Sequence, residues 1–326
     1  MLINNLLDTG WSGNGRDVMK CERLGLYLIF LTVVLWSTIE VVSKLLVHEL
    51  PSMTISFLRF TLGGAFLLPL SVHQIRKGVL KNVTFRDWVS LVILSFLGIT
   101  LTFALFHKAL VWISATSIAT LIAMVPIFSA PAGYLFLGER VTWFQVLGLS
   151  LGGFGILLIY MTEEPNWTSM LGVAIMVLAV LCFSIYSVLM KRLNRKMTAR
   201  VSTPLSLFIG GILTIPLTLM DGAPLFRPLD PLGVLQIAYL GFIAVGLAYL
   251  LYFIGLESTR VAPANSLIFM KPLIAGGLAF VFLGEHLSVI RVISVGIISA
   301  SILFVIREEW KRRGSSDPCI SGEKID

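Results

Sequence analysis

One stretch of the sequence, Ile122-Ala123-Met124-Val125-Pro126 with Phe136-Leu137-Gly138-Glu139 behind it, occurs twice. It returns 146 positions later as Ile268-Phe269-Met270-Lys271-Pro272 and Phe282-Leu283-Gly284-Glu285. The spacing from the proline to the glutamate is the same in both copies. The chain therefore contains one structural unit twice. The positions at which the two copies differ are those where we look for chemistry.

The composition is that of a membrane protein. Of the 326 residues, 56% are hydrophobic, and the mean hydropathy is +0.90. Charged residues make up 13%, which is about half the average of soluble proteins. Such a chain has too little polar surface to cover a core in water, so we expect the lipid bilayer to be its solvent.

The apolar runs predict ten membrane-crossing helices. Each run is about long enough to cross roughly 30 Å of hydrocarbon as a helix, and none alternates like a strand. The runs lie near residues 24–46, 53–72, 88–106, 114–137, 141–160, 168–190, 202–220, 233–254, 263–283 and 288–306.

The repeat divides these helices into two units of five. We expect a first unit at 24–160, a linker at 161–169 and a second unit at 170–306, with tails at 1–23 and 307–326. An odd number of helices per unit makes the second unit enter the membrane in the opposite direction. The predicted fold is thus all-α and integral to the membrane, with ten transmembrane helices as two inverted five-helix repeats. This architecture is typical of transporters whose site lies between the copies.

The net charge of +7 is distributed as in a membrane protein. With the N-terminus inside, nineteen of the 25 Lys and Arg residues fall on the inner side. This positive-inside bias predicts a multi-pass protein of the plasma membrane with both tails cytoplasmic. We expect the lipid bilayer, and no nucleic acid, as the partner of these charges, because no basic stripe is interleaved with aromatic residues.

Several motifs resemble those of a known family. They are Pro126…Gly138-Glu139-Arg140, Pro272…Gly284-Glu285-His286, Phe57-Leu58-Arg59-Phe60 and Trp36-Ser37. Residues 24–306 resemble the EamA-type branch of the drug/metabolite transporter superfamily. The resemblance implies a transporter of amino acids or other small metabolites, often coupled to protons. Lys271 departs from the family pattern, which more often has an uncharged residue before this proline.

Two charges inside the spans are candidate substrate-binding residues. Lys271 lies near the middle of the ninth span, where a lysine costs roughly 2.5–3.5 kcal/mol on insertion scales. It either binds an anionic substrate group or exchanges a proton, or it forms a structural pair with Glu40. Glu40 either couples protons and balances Lys271, or pairs with Lys44 one helical turn later.

Arg59 and four aromatic residues complete the predicted substrate site. Arg59 does not lose its proton, so it either grips a carboxylate or braces two helices. Trp36, Tyr186, Tyr252 and Phe269 lie in spans that we expect to line a central cavity, and they are its candidate walls.

The remaining repeated residues predict structural features. Pro126 and Pro272 each remove a helical hydrogen bond and favour a local break. Gly138 and Gly284 are expected to end a helix, and Glu139 and Glu285 to accept backbone hydrogen bonds at the start of the next helix. Glycine and serine in the fifth and tenth helices predict that these pack on each other or on a second protomer.

The sequence predicts a secondary transporter that moves an amino acid or another carboxylate-bearing solute, in the export direction. The alternatives are a sugar-phosphate or nucleotide-sugar carrier of the same superfamily, a passive channel and a membrane enzyme. Catalysis is disfavoured: Gly148-Leu149-Ser150-Leu151-Gly152 lies within an apolar helix, where the nucleophile elbow it mimics does not form. We expect no metal and no cofactor.

The inverted arrangement makes a prediction about the two tails. Cysteines introduced into residues 1–23 and 307–326 should both react with a membrane-impermeant reagent only from the cytoplasmic face. Reaction of the two tails from opposite faces would contradict an even number of crossings.

Overall fold

The structure, a computed structural model, describes residues 15–46, 49–113, 118, 121–160, 167–275, 277 and 289–313. These parts of the chain form helices joined by short turns, and they contain no β-strand. Gly284, Glu285 and most of the expected 161–169 linker lie outside the described residues.

The first half of the chain contains seven α-helical segments. They are α1 (Gly15–Ser37), α2 (Ile39–Leu46), α3 (Ser52–Arg76), α4 (Phe85–Ser95), α5 (Thr102–Ala109), α6 (Val125–Leu137) and α7 (Trp143–Tyr160). A π-helical turn, Phe96–Leu101, joins α4 to α5, so that Phe85–Ala109 is one continuous helix.

The second half repeats this order. Its segments are α8 (Trp167–Met197), α9 (Ala199–Leu213), α10 (Ile215–Met220), α11 (Pro231–Ala238), α12 (Ala248–Glu257), α13 (Val261–Ser266) and α14 (Val289–Arg313). A second π-helical turn, Tyr239–Leu247, joins α11 to α12, and a 3₁₀ turn, Leu267–Met270, extends α13 toward Ala275.

The described helices have the length and composition of membrane helices. Five are long and apolar enough to cross a bilayer, and shorter apolar helices accompany them. The five are Ser52–Arg76, Phe85–Ala109, Met170–Met197, Ala199–Met220 and Pro231–Glu257. The predicted all-α membrane fold is confirmed.

Equivalent helices of the two halves run antiparallel to each other. The backbone of Gly64 in α3 lies against Phe208 of α9, and the backbone of Gly211 lies against Thr61. As the residue number rises along α3 it falls along α9. Since α3 and α9 are counterparts in the repeat, this antiparallel contact is the expected geometry of an inverted duplication.

The fifth and tenth crossings pack on each other in the same way. Gly148 of α7 contacts Val305 of α14, and Gly155 contacts Ile298, so these two helices are also antiparallel. The fifth and tenth helices were predicted to pack on each other or on a second protomer, and the structure shows them packed on each other. Small residues let the backbones approach closely, which favours association where lipid supplies no hydrophobic driving force.

Both proline-containing helices are broken just before the proline. In the first half a turn at Ala123 and Met124 precedes α6, and in the second half the 3₁₀ turn ends before Lys271-Pro272. The Ser184 hydroxyl of α8 donates a hydrogen bond to the Val125 carbonyl at 3.2 Å. Both copies therefore depart from regular α-helix at the same place in the repeat, and a side chain of the neighbouring α8 hydrogen-bonds to the backbone beside the first proline.

A methyl group added to Gly64, where α3 crosses α9, should destabilise the protein. A Cβ on Gly64 would lie 2.4 Å from the backbone nitrogen of Phe208, which a rotamer change does not relieve. We expect Gly64→Ala to lower the free energy of unfolding by about 1–3 kcal/mol. The purified variant should therefore have a lower melting temperature. Gly296→Ala is the matched control, because no heavy atom lies within 4 Å of its Cβ. Equal melting temperatures for the two variants would contradict this crossing.

Candidate functional site

A cluster of aromatic rings lies where α1, α8 and α12 meet. The ring of Trp36 is 5.1 Å from that of Tyr249, 5.2 Å from that of Tyr252 and 5.9 Å from that of Phe183. All four side chains are buried. We call these four residues and the rings that contact them the aromatic cluster. It contains the predicted wall residues Trp36 and Tyr252.

Arg59 joins the aromatic cluster from α3. Its guanidinium carbon lies 5.0 Å from the ring centre of Phe60 and 4.8 Å from that of Phe103, and Phe60 contacts Tyr249 at 5.9 Å. Cation–π packing between two rings holds the guanidinium in place while it remains charged. This geometry favours the bracing role of Arg59 over that of a mobile carboxylate clamp.

Tyr186 also belongs to the aromatic cluster, but its hydroxyl is already paired. Its ring contacts Phe183 at 6.0 Å, and its hydroxyl is 3.0 Å from the Ser206 hydroxyl, to which Ser95 donates a hydrogen bond. The ring packs directly on the backbone of Gly98 in the π-helical turn. Tyr186 therefore ties α8 to α4 and α9, so its ring, rather than its hydroxyl, faces the cluster.

Phe269, a predicted wall residue, packs against α7 rather than against the aromatic cluster. Its ring contacts the backbone of Gly152 in α7, close to the Ser301 hydroxyl of α14. Among the described residues it makes no ring contact with the aromatic cluster. The reason is the 3₁₀ turn that contains it: about 120° per residue, instead of about 100° in an α-helix, turns the side chain to another face.

Of the two predicted intramembrane charges, the structure describes the side chain of Lys271 but not that of Glu40. Lys271 is buried, with 5% of its surface exposed, and it follows directly on the 3₁₀ turn of the broken ninth crossing. The backbone of Glu40 lies in α2, but its side chain falls outside the described residues. A Lys271–Glu40 pair therefore stays a prediction.

The sequence analysis missed a polar residue beside the cluster. The Tyr252 hydroxyl donates a hydrogen bond to Oδ1 of Asn265 in α13 at 2.7 Å, and Asn265 is fully buried. Within the described part of the chain, Asn265 Nδ2 and Trp36 Nε1 have no hydrogen-bond partner. An asparagine in an apolar span was a visible signal, but its partner is on another helix.

A second missed pair lies near the N-terminal end of α3. The Ser56 hydroxyl and Nε2 of His107 are 2.6 Å apart, and the His107 ring contacts Phe106 edge-on at 5.2 Å. This pair links the second crossing to the third, one helical turn from Arg59.

Glu139 ties three helix ends together at the Lys- and Arg-rich end of the bundle. Its carboxylate accepts hydrogen bonds from Nζ of Lys191 at 2.6 Å and from the backbone N–H of Val261 at 2.7 Å. Lys191 Nζ also donates to the Thr259 carbonyl. We call this arrangement of Glu139, Lys191, Thr259 and Val261 the end clasp.

The end clasp corrects one detail of the predicted turn. Gly138 ends α6 with a positive φ of 67°, as expected of a helix-stopping glycine. Glu139, however, serves the start of α13 rather than that of the next helix, α7. Thr142 and Gln145 cap α7 instead through reciprocal 3.0 Å hydrogen bonds.

The described residues contain no group of three or more His, Cys, Asp or Glu side chains that could hold a metal ion. The aromatic cluster and its neighbours offer a buried cation, aromatic faces and hydrogen-bond donors.

Comparison with known proteins agrees with this arrangement. The family model of the EamA-like transporter family matches residues 23–161 and again residues 170–307. A protein of Clostridium kluyveri named an uncharacterized transporter is 25% identical over 280 residues, 84% of this chain and 90% of that protein. A probable terminal-alkyne amino-acid exporter of Streptantibioticus cattleyicolor is 22% identical over 311 residues, 92% of this chain and 99% of that protein.

A solved crystal structure shares the fold. It has a TM-score of 0.73 and 19% identity, and the match covers 90% of this chain and 99% of that one. The two family matches together span most of the sequence, one in each half. The chain therefore belongs to the EamA-like transporter family and is a membrane transporter rather than an enzyme.

Proposed function

We propose that this protein is a secondary transporter that moves a small carboxylate-bearing metabolite, such as an amino acid, out of the cell. It would work in the plasma membrane by alternating access, with both tails in the cytoplasm. The observation that carries the proposal is Lys271, a buried cation at a helix break. Its repeat counterpart is Val125, so this charge is a difference between the two halves.

The Lys271 ammonium would bind an anionic group of the solute. A charge within the membrane is expensive, and such residues usually mark substrate or ion pathways. Coupling to protons through Glu40 remains part of the proposal.

The names of relatives support an amino-acid substrate. The Streptantibioticus cattleyicolor relative, which is named a probable terminal-alkyne amino-acid exporter, matches over 92% of this chain. A sugar phosphate would also pair with Lys271, so it serves as the competing solute in the tests below.

The end clasp supports alternating access. Glu139 joins the fourth crossing in one half to the sixth and ninth crossings in the other. A contact between halves at one end of the bundle is what has to open when one half rocks against the other. Its Lys191–Glu139 pair is mostly shielded from solvent, with side-chain exposures of 9% and 12%.

Removing the cation should abolish transport of anionic solutes. In proteoliposomes, we expect Lys271→Ala to lower the counterflow of radiolabelled amino acids at least about 10-fold, because the carboxylate loses a charge-assisted hydrogen bond. Lys108→Ala is the control, since Lys108 is an exposed cation at the end of α5.

Two results would contradict the proposal. One is equal counterflow of amino acids by the wild type and Lys271→Ala. The other is a wild type that exchanges a sugar phosphate but no amino acid.

Breaking the end clasp on one side should destabilise the protein. Glu139→Ala leaves the buried Lys191 ammonium without its carboxylate, a change that costs about 3–5 kcal/mol in buried pairs. We expect a lower melting temperature, partly restored when Lys191→Met is added. Failure of the second substitution to restore stability would show that the two side chains do not act as a pair.

A further inference from the structure

Two segments at the Lys- and Arg-rich end of the bundle are strongly basic. Residues 76–90, which run from the end of α3 into α4, contain four Lys and Arg residues, and residues 192–200, which run from α8 into α9, contain four more. Asp87 is the one acidic residue of these two segments. By contrast, the turn between α10 and α11, at the other end of the seventh crossing, contains Asp221, Asp230 and one cation, Arg227. Excess positive charge is therefore concentrated at one end of the bundle.

An ion pair joins the two basic segments, which belong to different halves of the chain. Lys196 Nζ lies 2.9 Å from Oδ1 and 3.0 Å from Oδ2 of Asp87. Asp87 Oδ2 also accepts hydrogen bonds from the Thr84 backbone N–H at 2.9 Å and from the Thr84 hydroxyl at 2.7 Å. The single carboxylate is thus engaged by neighbours on its own helix and holds Lys196 against the first turn of α4.

The cations beside this ion pair are exposed and are not neutralised. Arg86 precedes Asp87, and Arg192 and Arg195 lie on the same face of α8 as Lys196, because residues three and four apart share a helix face. Within the part of the chain that the structure describes, Arg86, Arg192 and Arg195 form no ion pair. We call Arg86, Arg192, Arg195 and Lys196 the basic surface.

An apolar stripe begins directly beside the basic surface. Phe85, Val89, Ile93 and Phe96 lie on one face of the helix that starts with α4, and all four are exposed, Phe85 by 82%. We call these four residues the apolar stripe. Arg86 lies on the same side, about two helical turns before Ile93. Because this helix is long and apolar enough to cross a bilayer, its first turn places the basic surface at the border of the hydrocarbon.

A phospholipid with an anionic headgroup matches both features. Its phosphodiester supplies negative charge and acceptor oxygens for guanidinium and ammonium groups. Clusters of about four to eight Lys and Arg residues at a membrane surface attract anionic lipids, and acyl chains cover exposed apolar side chains. A zwitterionic lipid would leave the charge of the basic surface uncompensated, and a soluble anion would not contact the apolar stripe.

We propose that the basic surface binds the headgroup of an anionic phospholipid, with Arg86 from the first half and Arg195 from the second half as its ligands and an acyl chain along the apolar stripe. The bound headgroup joins α4 to α8 beside the Lys196–Asp87 pair. It therefore stabilises the arrangement of the two halves that the structure shows. The site lies outside the aromatic cluster and does not depend on which solute is moved.

The test removes one cation from each half. Arg86→Gln and Arg195→Gln each replace an exposed charge by a polar side chain and leave the Lys196–Asp87 pair in place. Lys108→Gln is the matched control, because Lys108 is also an exposed cation and lies near the other end of the same helix, roughly 33 Å away along its axis.

Three probes separate the headgroup charge from the acyl chains. Dioctanoyl phosphatidylglycerol carries both, dioctanoyl phosphatidylcholine has the same chains with a zwitterionic headgroup, and inorganic phosphate has the charge without a chain. Each probe is titrated against the purified full-length protein in a neutral detergent. The rise in melting temperature gives the apparent affinity, because a ligand that prefers the folded state stabilises it.

We expect wild type to bind the phosphatidylglycerol at least about 10-fold more tightly than the phosphatidylcholine. Arg86→Gln and Arg195→Gln should each weaken binding of the phosphatidylglycerol about 5-fold and leave that of the phosphatidylcholine unchanged. Lys108→Gln should bind all three probes like wild type. Without lipid, the variants should melt at the wild-type temperature, because the replaced side chains are exposed.

Three results would overturn the inference. The first is equal binding of the two phospholipids by wild type. The second is a preference for phosphatidylglycerol that Arg86→Gln and Arg195→Gln leave intact, or that Lys108→Gln weakens as much as they do. The third is stabilisation by inorganic phosphate as strong as that by phosphatidylglycerol, which would identify the ligand as a soluble anion.

Discussion

Every backbone N–H and C=O inside a bilayer needs a partner within the protein, and this constraint governs the structure. It explains why the described chain is helical wherever it is apolar, and where the helices depart from regularity. The breaks before Val125-Pro126 and Lys271-Pro272 are placed inside the bundle, where other helices surround them. Ser184 of the neighbouring α8 donates a hydrogen bond to the Val125 carbonyl beside the first of them.

The duplication divides the residues of the bundle into two kinds: those that both repeats share and those that occur in only one repeat. Shared residues build the frame: the prolines, the glycines of the antiparallel crossings and the serines that bond back to the preceding helical turn. Ser37 and Ser184 both donate to a carbonyl four residues earlier, at 2.7 Å. Unshared residues such as Lys271 and Asn265 add charge and hydrogen-bonding groups that the frame does not require. Evolution of substrate choice can then proceed at these unshared positions without disturbing the architecture.

Features encoded locally were predictable from the sequence, and features that depend on pairing between helices were not. The helices, the proline breaks and the glycine stop at Gly138 follow from residue type and spacing. The Lys191–Glu139 pair joins residues 52 positions apart, and no local pattern specifies it. Phe269 was predicted as a cavity wall, and its contact with Gly152 of α7 is one that no local pattern specifies. Asn265 is recognisable in the sequence as a polar residue in an apolar run. Its hydrogen bond with Tyr252 is visible only in the structure.

The glycine crossing of α3 and α9 has a mechanical consequence. Gly64 lies midway along α3, twelve residues from either end. The contact there is between the backbones of α3 and α9. A small rotation of α3 about Gly64 therefore needs no rotamer change at the contact itself. Each end of α3 lies about 18 Å from this pivot, so a tilt of about 10° moves it by roughly 3 Å. A small rotation about Gly64 therefore displaces the two ends of α3 far more than its middle.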